Sequence, residues 1–293
     1  MISGEINKER MEKWKVVSPT EYGFYEVVAP RKKDCLESYI YRLNLKKGEE
    51  FILNPSELTR NEKWEFVKLE MNPILIKGKA EIENDCFKEN MEKLDSFYIV
   101  SETVTKIKAI EDCIFYIAGA LDEGYGKPYF RKFNKDLPIG DIHQIHGEPG
   151  TSGQREVFMT CGPEVEASRL EVGITWSEDG TWTSWPPHQH EKELEETYCY
   201  FDMDAPRFGL QMSYINPGDI DNIAVHTVYS GVFCMAPRGY HPTVASPGSR
   251  NAYVWIMCAH SHENRRYDLA VPDPKRKDIL RCEKTLKEQI AEK

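Results

Sequence analysis

Two histidines, His188 and His190, stand two residues apart in the segment Thr183-Ser184-Trp185-Pro186-Pro187-His188-Gln189-His190. At the end of a β-strand, alternation sends both imidazoles to the same face, roughly 6.6 Å apart along the backbone. Two rings at that spacing converge on one ion. A pair of glutamates follows at Glu195 and Glu196, and a third histidine, His241, closes the turn Pro237-Arg238-Gly239-Tyr240-His241-Pro242. Three imidazoles and a carboxylate suit a divalent transition metal such as zinc, manganese, iron or nickel. All eight histidines lie at or beyond His143, so a histidine metal site belongs to the second half of the chain. The expectation is therefore one divalent metal per chain, zinc or manganese first.

The spacing leaves the carboxylate open between two candidates. A gap of four residues after His190 selects Glu195. The following strand selects Glu196, because Glu196, Tyr198 and Tyr200 then share one face. A hairpin absorbs an extra residue easily, whereas a strand slipped by one turns its whole inward set outward. Glu196 is preferred, with Glu195 expected as an exposed turn acid.

The elements that must position these groups read as strands. Short apolar or alternating runs recur about every ten residues, punctuated by Gly, Pro, Asn and Asp, as in an antiparallel sandwich or barrel. In the first half they include 39–45, 64–69, 74–82, 97–100, 103–109 and 114–118. In the second they include 156–159, 170–176, 196–201, 209–214, 222–228, 231–235 and 253–257. The stretch 134–153 is rich in Gly, Pro, Asp and His and reads as a plain connection. Its Gly147, Gly150 and Gly153 lack the strand-to-helix context of a phosphate loop. Residues 1–33 look partly helical. The tail from Asp273 to Lys293 has Ile279, Cys282, Leu286 and Ile290 near one helical face. Residues 96–120 and 231–260 share a layout of apolar strand, turn, short strand, loop and apolar strand. The chain thus divides into diverged copies, 1–140 and 141–293, the first lacking metal histidines and serving a structural or dimer-forming role.

A length of 293 residues accommodates two domains, and 11% aromatic residues supply a large core. A net charge of −10 with no basic block argues against nucleic acid or an anionic membrane as partner. The charged N-terminus reads as no signal peptide, and no apolar run approaches the ~18 residues of a spanning helix. Eight cysteines without a Cys-x-x-Cys pair suggest reduced thiols and a cytoplasmic protein.

The pattern Gly180, His188-x-His190, Glu, then Pro237-x-Gly239-x-His241 resembles the cupin metal site. Ser184 to His190, Leu194 to Tyr198 and Ala236 to Pro242 resemble the 5-deoxy-glucuronate isomerase family of myo-inositol catabolism. Tyr198-Cys199-Tyr200-Phe201 and His226 are more similar to the sister 4-deoxy-5-hexosulose-uronate ketol-isomerases of pectin breakdown. The resemblance implies an all-β bicupin, two tandem antiparallel jelly-roll barrels with a C-terminal helix. It places His188, His190, Glu196 and His241 on the metal. It implies aldose–ketose isomerisation of a small acidic sugar, 5-deoxy-glucuronate to 2-deoxy-5-keto-gluconate, by an enzyme that could be a homo-oligomer. Arg155 and Arg238 could take the sugar carboxylate bidentately, and Trp185, Tyr198, Tyr200, Tyr240 and His226 could line the pocket. For the proton shuttle a metal-bound hydroxide, the glutamate pair, Tyr198 or Tyr240 all remain. The same ligands could serve a cupin dioxygenase, and a non-catalytic sugar-binding protein is the remaining class.

Overall fold

The computed structural model describes residues 4–30, 34–147 and 150–276. The fold is all-β, and among the described residues helices are confined to short turns such as Lys8–Met11, capped by the Asn7 side chain, and Glu12–Trp14. Two large sheets dominate. The first runs, strand beside strand, Tyr129–Arg131, Ser96–Tyr98, Leu69–Lys77, Cys113–Leu121, Tyr39–Leu45 and Gly23–Val28. The second runs Lys15–Val17, Val232–Ala236, Leu194–Tyr200, Arg250–Ala259, Leu170–Asp179, Arg155–Cys161 and His143–His146. A four-stranded sheet accompanies each, in matching order. One is Glu50–Leu53, Thr105–Ala109, Ala80–Glu83 and Lys88–Met91, and the other is Trp182–Thr183, Thr243–Ala245, Gly209–Ser213 and Ala224–Val228.

Side-chain alternation explains how these layers stack. In Arg250–Ala259, Val254, Ile256 and Cys258 point into a layer shared with Tyr116, Ala118 and Ala120 of the first large sheet. Tyr253, Trp255 and Met257 point the opposite way, into the second half's own interior. In Cys113–Leu121, Phe115 and Ile117 likewise face Leu53, Ile82 and Ile107 of the adjoining small sheet. The large sheets therefore pack back to back, and their central strands are apolar on both faces.

Two sequence expectations change, and the start of the chain, partly helical as expected, takes a distant partner. The connection 134–153 contributes the strand His143–His146, paired with Arg155–Phe158. His143 stacks on Phe158 at 4.2 Å, and its Nδ1 lies 2.6 Å from the Leu137 carbonyl, which orders a segment without an apolar run. Gly147 sits at φ 79°, and a Cβ there would come within 2.5 Å of the Gly153 carbonyl oxygen, so that position has no room for a side chain. The run 64–69 is mostly turn. Trp64 is exposed at φ 63°, and the strand begins at Leu69. The N-terminal residues cross to the other half, where Lys15–Val17 pairs with Val232–Cys234. Of the helix expected over 273–293, residues 277–293 lie outside the described residues. Among the described residues the cysteines are free thiols, all buried except Cys86, and no helix is long and apolar enough to cross a membrane.

Candidate metal centre and substrate pocket

His188 lies in the short strand His188–Gln189, paired with Val271–Pro272. The chain then turns at His190, whose carbonyl accepts the N–H groups of Glu193 and Leu194 at 3.0 and 3.1 Å. This turn feeds Leu194–Tyr200 with Glu196, Tyr198 and Tyr200 inward and Glu195 on the opposite face. His241 arrives from the turn after Val232–Ala236. There Gly239, at φ 76°, passes so close to Tyr214 that a Cβ would lie 2.4 Å from its carbonyl oxygen. One nitrogen or oxygen from each of His188, His190, Glu196 and His241 lies within 4.8 Å of all the others.

Each histidine is oriented through Nδ1 by a backbone carbonyl: His188 on Pro186 at 3.0 Å, His190 on Leu194 at 3.2 Å and His241 on Gly239 at 2.9 Å. A carbonyl only accepts, so Nδ1 carries the proton and Nε2 presents a lone pair. Glu196 Oε2 lies 3.1 Å from His190 Nε2 and 2.9 Å from His241 Nε2, and the buried His241 Nε2 has no hydrogen-bond partner. A carboxylate facing imidazole lone pairs needs a proton or a cation between them. Burial pushes His188 down to about 3, helped by the neighbouring His241 and His190, so its ring is neutral and available as a ligand. Burial opposes ionisation of Glu196; protons on the facing nitrogens of His190 and His241, or a cation in their place, outweigh it and hold its carboxyl below the usual carboxylate range. The donor set and the orphaned nitrogen fit one divalent transition metal.

His188, His190 and Glu196 of the cluster line a cavity of about 280 Å³, with His241 behind them. Arg155 and His146 line another side, and Tyr198, Tyr253, Trp255 and Met257 supply the inner surface. Tyr198 stacks on Tyr253 at 4.3 Å. Gly173 makes room for Trp255, since a Cβ there would fall 2.3 Å from the indole Cζ2. A strap that includes Arg266, Tyr267 and Pro272 also lines the cavity, with Tyr267 packed against Trp255 at 5.4 Å. Buried Asp273 fastens its end, accepting from Tyr214 Oη at 2.8 Å and from the Gly218 and Lys275 N–H groups at 2.9 Å.

Several expected residues lie elsewhere. Tyr240 stacks on Tyr214 at 4.9 Å, carried away from the cavity by the same turn that delivers His241. Arg238 points outward to Glu191, with contacts of 3.2 and 3.3 Å. Trp185 packs on Trp182 at 4.8 Å, outside the cavity lining. Tyr200 is fully buried beneath the pocket, donating to Gln211 Oε1 at 2.9 Å. His226, opposite Gln211, is buried outside the cavity and is pushed down to about 4, chiefly by burial. Glu195 is no exposed acid. It is 1% exposed and accepts four hydrogen bonds from residues 36–38, because the back face of its strand is covered by the other half of the chain.

Sequence reasoning passed over His146, Tyr253, Trp255, Arg266 and Tyr267. The strand holding Tyr253 and Trp255 was legible, but the alternation does not say which parity faces the site. Tyr267 and Arg266 come from irregular chain with no periodic signal. Glu171 was also missed. It faces inward beside Met257, is 1% exposed, and neither carboxylate oxygen has a hydrogen-bond partner.

Residues 23–276 match the KduI/IolB family. The chain belongs to that family. Among its relatives, 4-deoxy-L-threo-5-hexosulose-uronate ketol-isomerase 2 of Enterococcus faecalis is 34% identical over 201 residues, 66% of this chain and 68% of that protein. The 5-deoxy-glucuronate isomerase of Geobacillus thermodenitrificans is 27% identical over 208 residues, 68% of this chain and 66% of that protein. An IolB-like protein from Salmonella typhimurium LT2 has a similar fold, with a TM-score of 0.70 at 22% identity over 90% of this chain and 98% of that one. Cupin-like neighbours include a mutant of Bacillus subtilis oxalate decarboxylase, with a TM-score of 0.53 at 12% identity over 88% of this chain and 78% of that one.

Proposed function

We propose that this member of the KduI/IolB family is a metal-dependent aldose–ketose isomerase that converts 5-deoxy-glucuronate to 2-deoxy-5-keto-gluconate. It does so on a scaffold of two tandem cupin barrels, of which the C-terminal one holds the metal. The observation that carries the reading is the cluster of His188, His190, Glu196 and His241, which reaches through His188, His190 and Glu196 a small cavity also lined by Arg155. A divalent metal bound there supplies Lewis-acid polarisation of the sugar carbonyl.

The chain's own residues do the rest. The Arg155 guanidinium forks onto the sugar carboxylate and sets which end of the substrate faces the cluster. Tyr253, Trp255 and Tyr267 form an amphipathic wall along the sugar carbons. Burial pushes the Tyr198 phenol well above its ordinary range, so Tyr198 keeps its proton at neutral pH and donates from Oη to a substrate oxygen. The strap limits entry of water while the proton moves between adjacent carbons. The 34% identity to an Enterococcus ketol-isomerase supports a second substrate of the same class, 4-deoxy-L-threo-5-hexosulose-uronate.

The purified protein, loaded with zinc or manganese, is assayed on both deoxy-uronates without oxygen, in deuterated buffer followed by NMR. Turnover of one of them is expected, with loss of activity on chelation and with metal release from His241→Ala. Failure on both substrates with metal restored, or a strict need for oxygen, overturns the isomerase reading.

A further inference from the structure

Strands Leu69–Lys77 and Leu194–Tyr200 hold equivalent places in the two large sheets, and their registers match to the residue. Leu69 pairs with Leu121, the last residue of its central strand, and Leu194 pairs with Ala259, the last of its own. Glu70 therefore corresponds to Glu195, and Met71 to Glu196. Both glutamates are fully buried and turn away from their own half's interior.

Their hydrogen bonds are reciprocal. Glu195 accepts the N–H groups of Leu36, Glu37 and Ser38 at 2.7, 3.0 and 2.8 Å and the Ser38 hydroxyl at 2.6 Å. Glu70 accepts the N–H groups of Ser168, Arg169 and Leu170 at 2.6, 2.5 and 2.7 Å, together with the Tyr98 hydroxyl. Residues 36–38 lead into Tyr39–Leu45, and residues 168–170 lead into the equivalent Leu170–Asp179. Each half thus buries a carboxylate in a cradle of backbone donors at the entry to the other half's sheet. Removing carboxylates from water is costly unless every oxygen is satisfied, and here both are.

The copies differ one residue further on. Met71 is an apolar side chain in the first half's core, whereas Glu196 belongs to the histidine cluster. The first half keeps the latch without a ligand. In the second half the latch sits one peptide from the ligand, where the chain has just left the turn at His190. A metal site tolerates ligand displacements of only about 0.2 Å. We propose that Glu195 is a positioning residue of the metal site, and that through the Leu36–Ser38 cradle the N-terminal half holds Glu196 in ligand geometry. This rests on the reading that the cluster binds metal.

Glu195→Gln and Glu70→Gln place the same lesion at the two equivalent latches, exchanging an acceptor oxygen for an amide nitrogen that faces N–H donors. Full-length proteins are compared by thermal unfolding and by competition of a zinc chelator for bound Zn²⁺. Both variants are expected to unfold at lower temperature, and Glu195→Gln alone to bind Zn²⁺ about 10- to 100-fold more weakly, the usual effect of groups that orient ligands. Equal Zn²⁺ affinity in the two variants overturns the proposal while leaving the metal reading intact. A wild-type protein that binds no Zn²⁺ overturns the metal reading itself, and the proposal with it. If Glu195→Gln does not fold, Ser38→Ala removes the hydroxyl donor alone. A several-fold loss of Zn²⁺ affinity is then expected, and unchanged affinity overturns the proposal.

Discussion

Among the described residues four glutamates are buried, in three different settings. Glu70 and Glu195 are wrapped in donors, and Glu196 is held by imidazoles. Glu171 has neither, and burial lifts it to about 7. Arg265 opposes this only in part, because its guanidinium donates to the carbonyls of Leu170, Val165 and Gly162. A carboxyl whose pKa is higher folded than unfolded binds more protons in the native state, so stability falls as pH rises between those values. The window for Glu171 runs from its ordinary 4.5 to about 7. Glu171→Gln should shrink the stability lost between pH 5 and pH 8 by up to about 3 kcal/mol. Urea unfolding of both proteins at the two pH values measures this, and parallel behaviour contradicts it. Nothing in Leu170-Glu171-Val172-Gly173-Ile174 marks this residue, since a glutamate in an alternating strand ordinarily faces water.

At the level of elements, the pocket depends on how neighbouring strands fill each other's gaps. Trp255 reaches across to Leu170–Asp179 and rests over Gly173, where a Cβ would also lie 2.9 Å from the Phe158 carbonyl oxygen. Gly173→Ala should therefore drive the indole toward the cavity. Overpacking of this kind costs about 1–3 kcal/mol, and a narrowed site should raise KM roughly tenfold if that strain is felt on binding. Steady-state kinetics with a melting curve tests both, and an unchanged KM would show that the tryptophan relaxes away from the site. The strand pattern of this region was largely readable from alternation and turn residues. The pocket's wall was not, because parity becomes meaningful only once one face has found a partner sheet.

Over the whole molecule, the two halves share a layer rather than merely adjoin. Val172, Ile174, Val254 and Ile256 pack with Ile74, Tyr116 and Ala118, and Lys15–Val17 from the start of the chain borders the C-terminal sheet. A fragment of residues 141–293 leaves that face uncovered, and exposed apolar surface of this extent favours aggregation. Expressed alone, the fragment should be insoluble or fail to hold Zn²⁺, and co-expression with residues 1–140 should restore both properties. A soluble monomeric fragment with full Zn²⁺ affinity would show that the C-terminal half is self-sufficient.

The sequence by itself determined what local rules govern. His188-x-His190, the Pro-x-Gly-x-His241 turn and the phase that sets Glu196 beside Tyr198 and Tyr200 all depend on strand alternation and turn chemistry within a few residues. It also confined the histidines to one half. Tertiary structure decided which side of each strand is covered, and by what. Glu195 is exposed if its strand is viewed alone, but it is buried because a segment about 160 residues earlier in the chain supplies its donors. Arg238 and Tyr240 flank a site histidine in sequence and still leave the pocket, while Tyr253, Trp255 and Tyr267 enter it from distant segments. Spacing fixes direction along one strand, whereas only packing between sheets fixes which groups meet in a cavity.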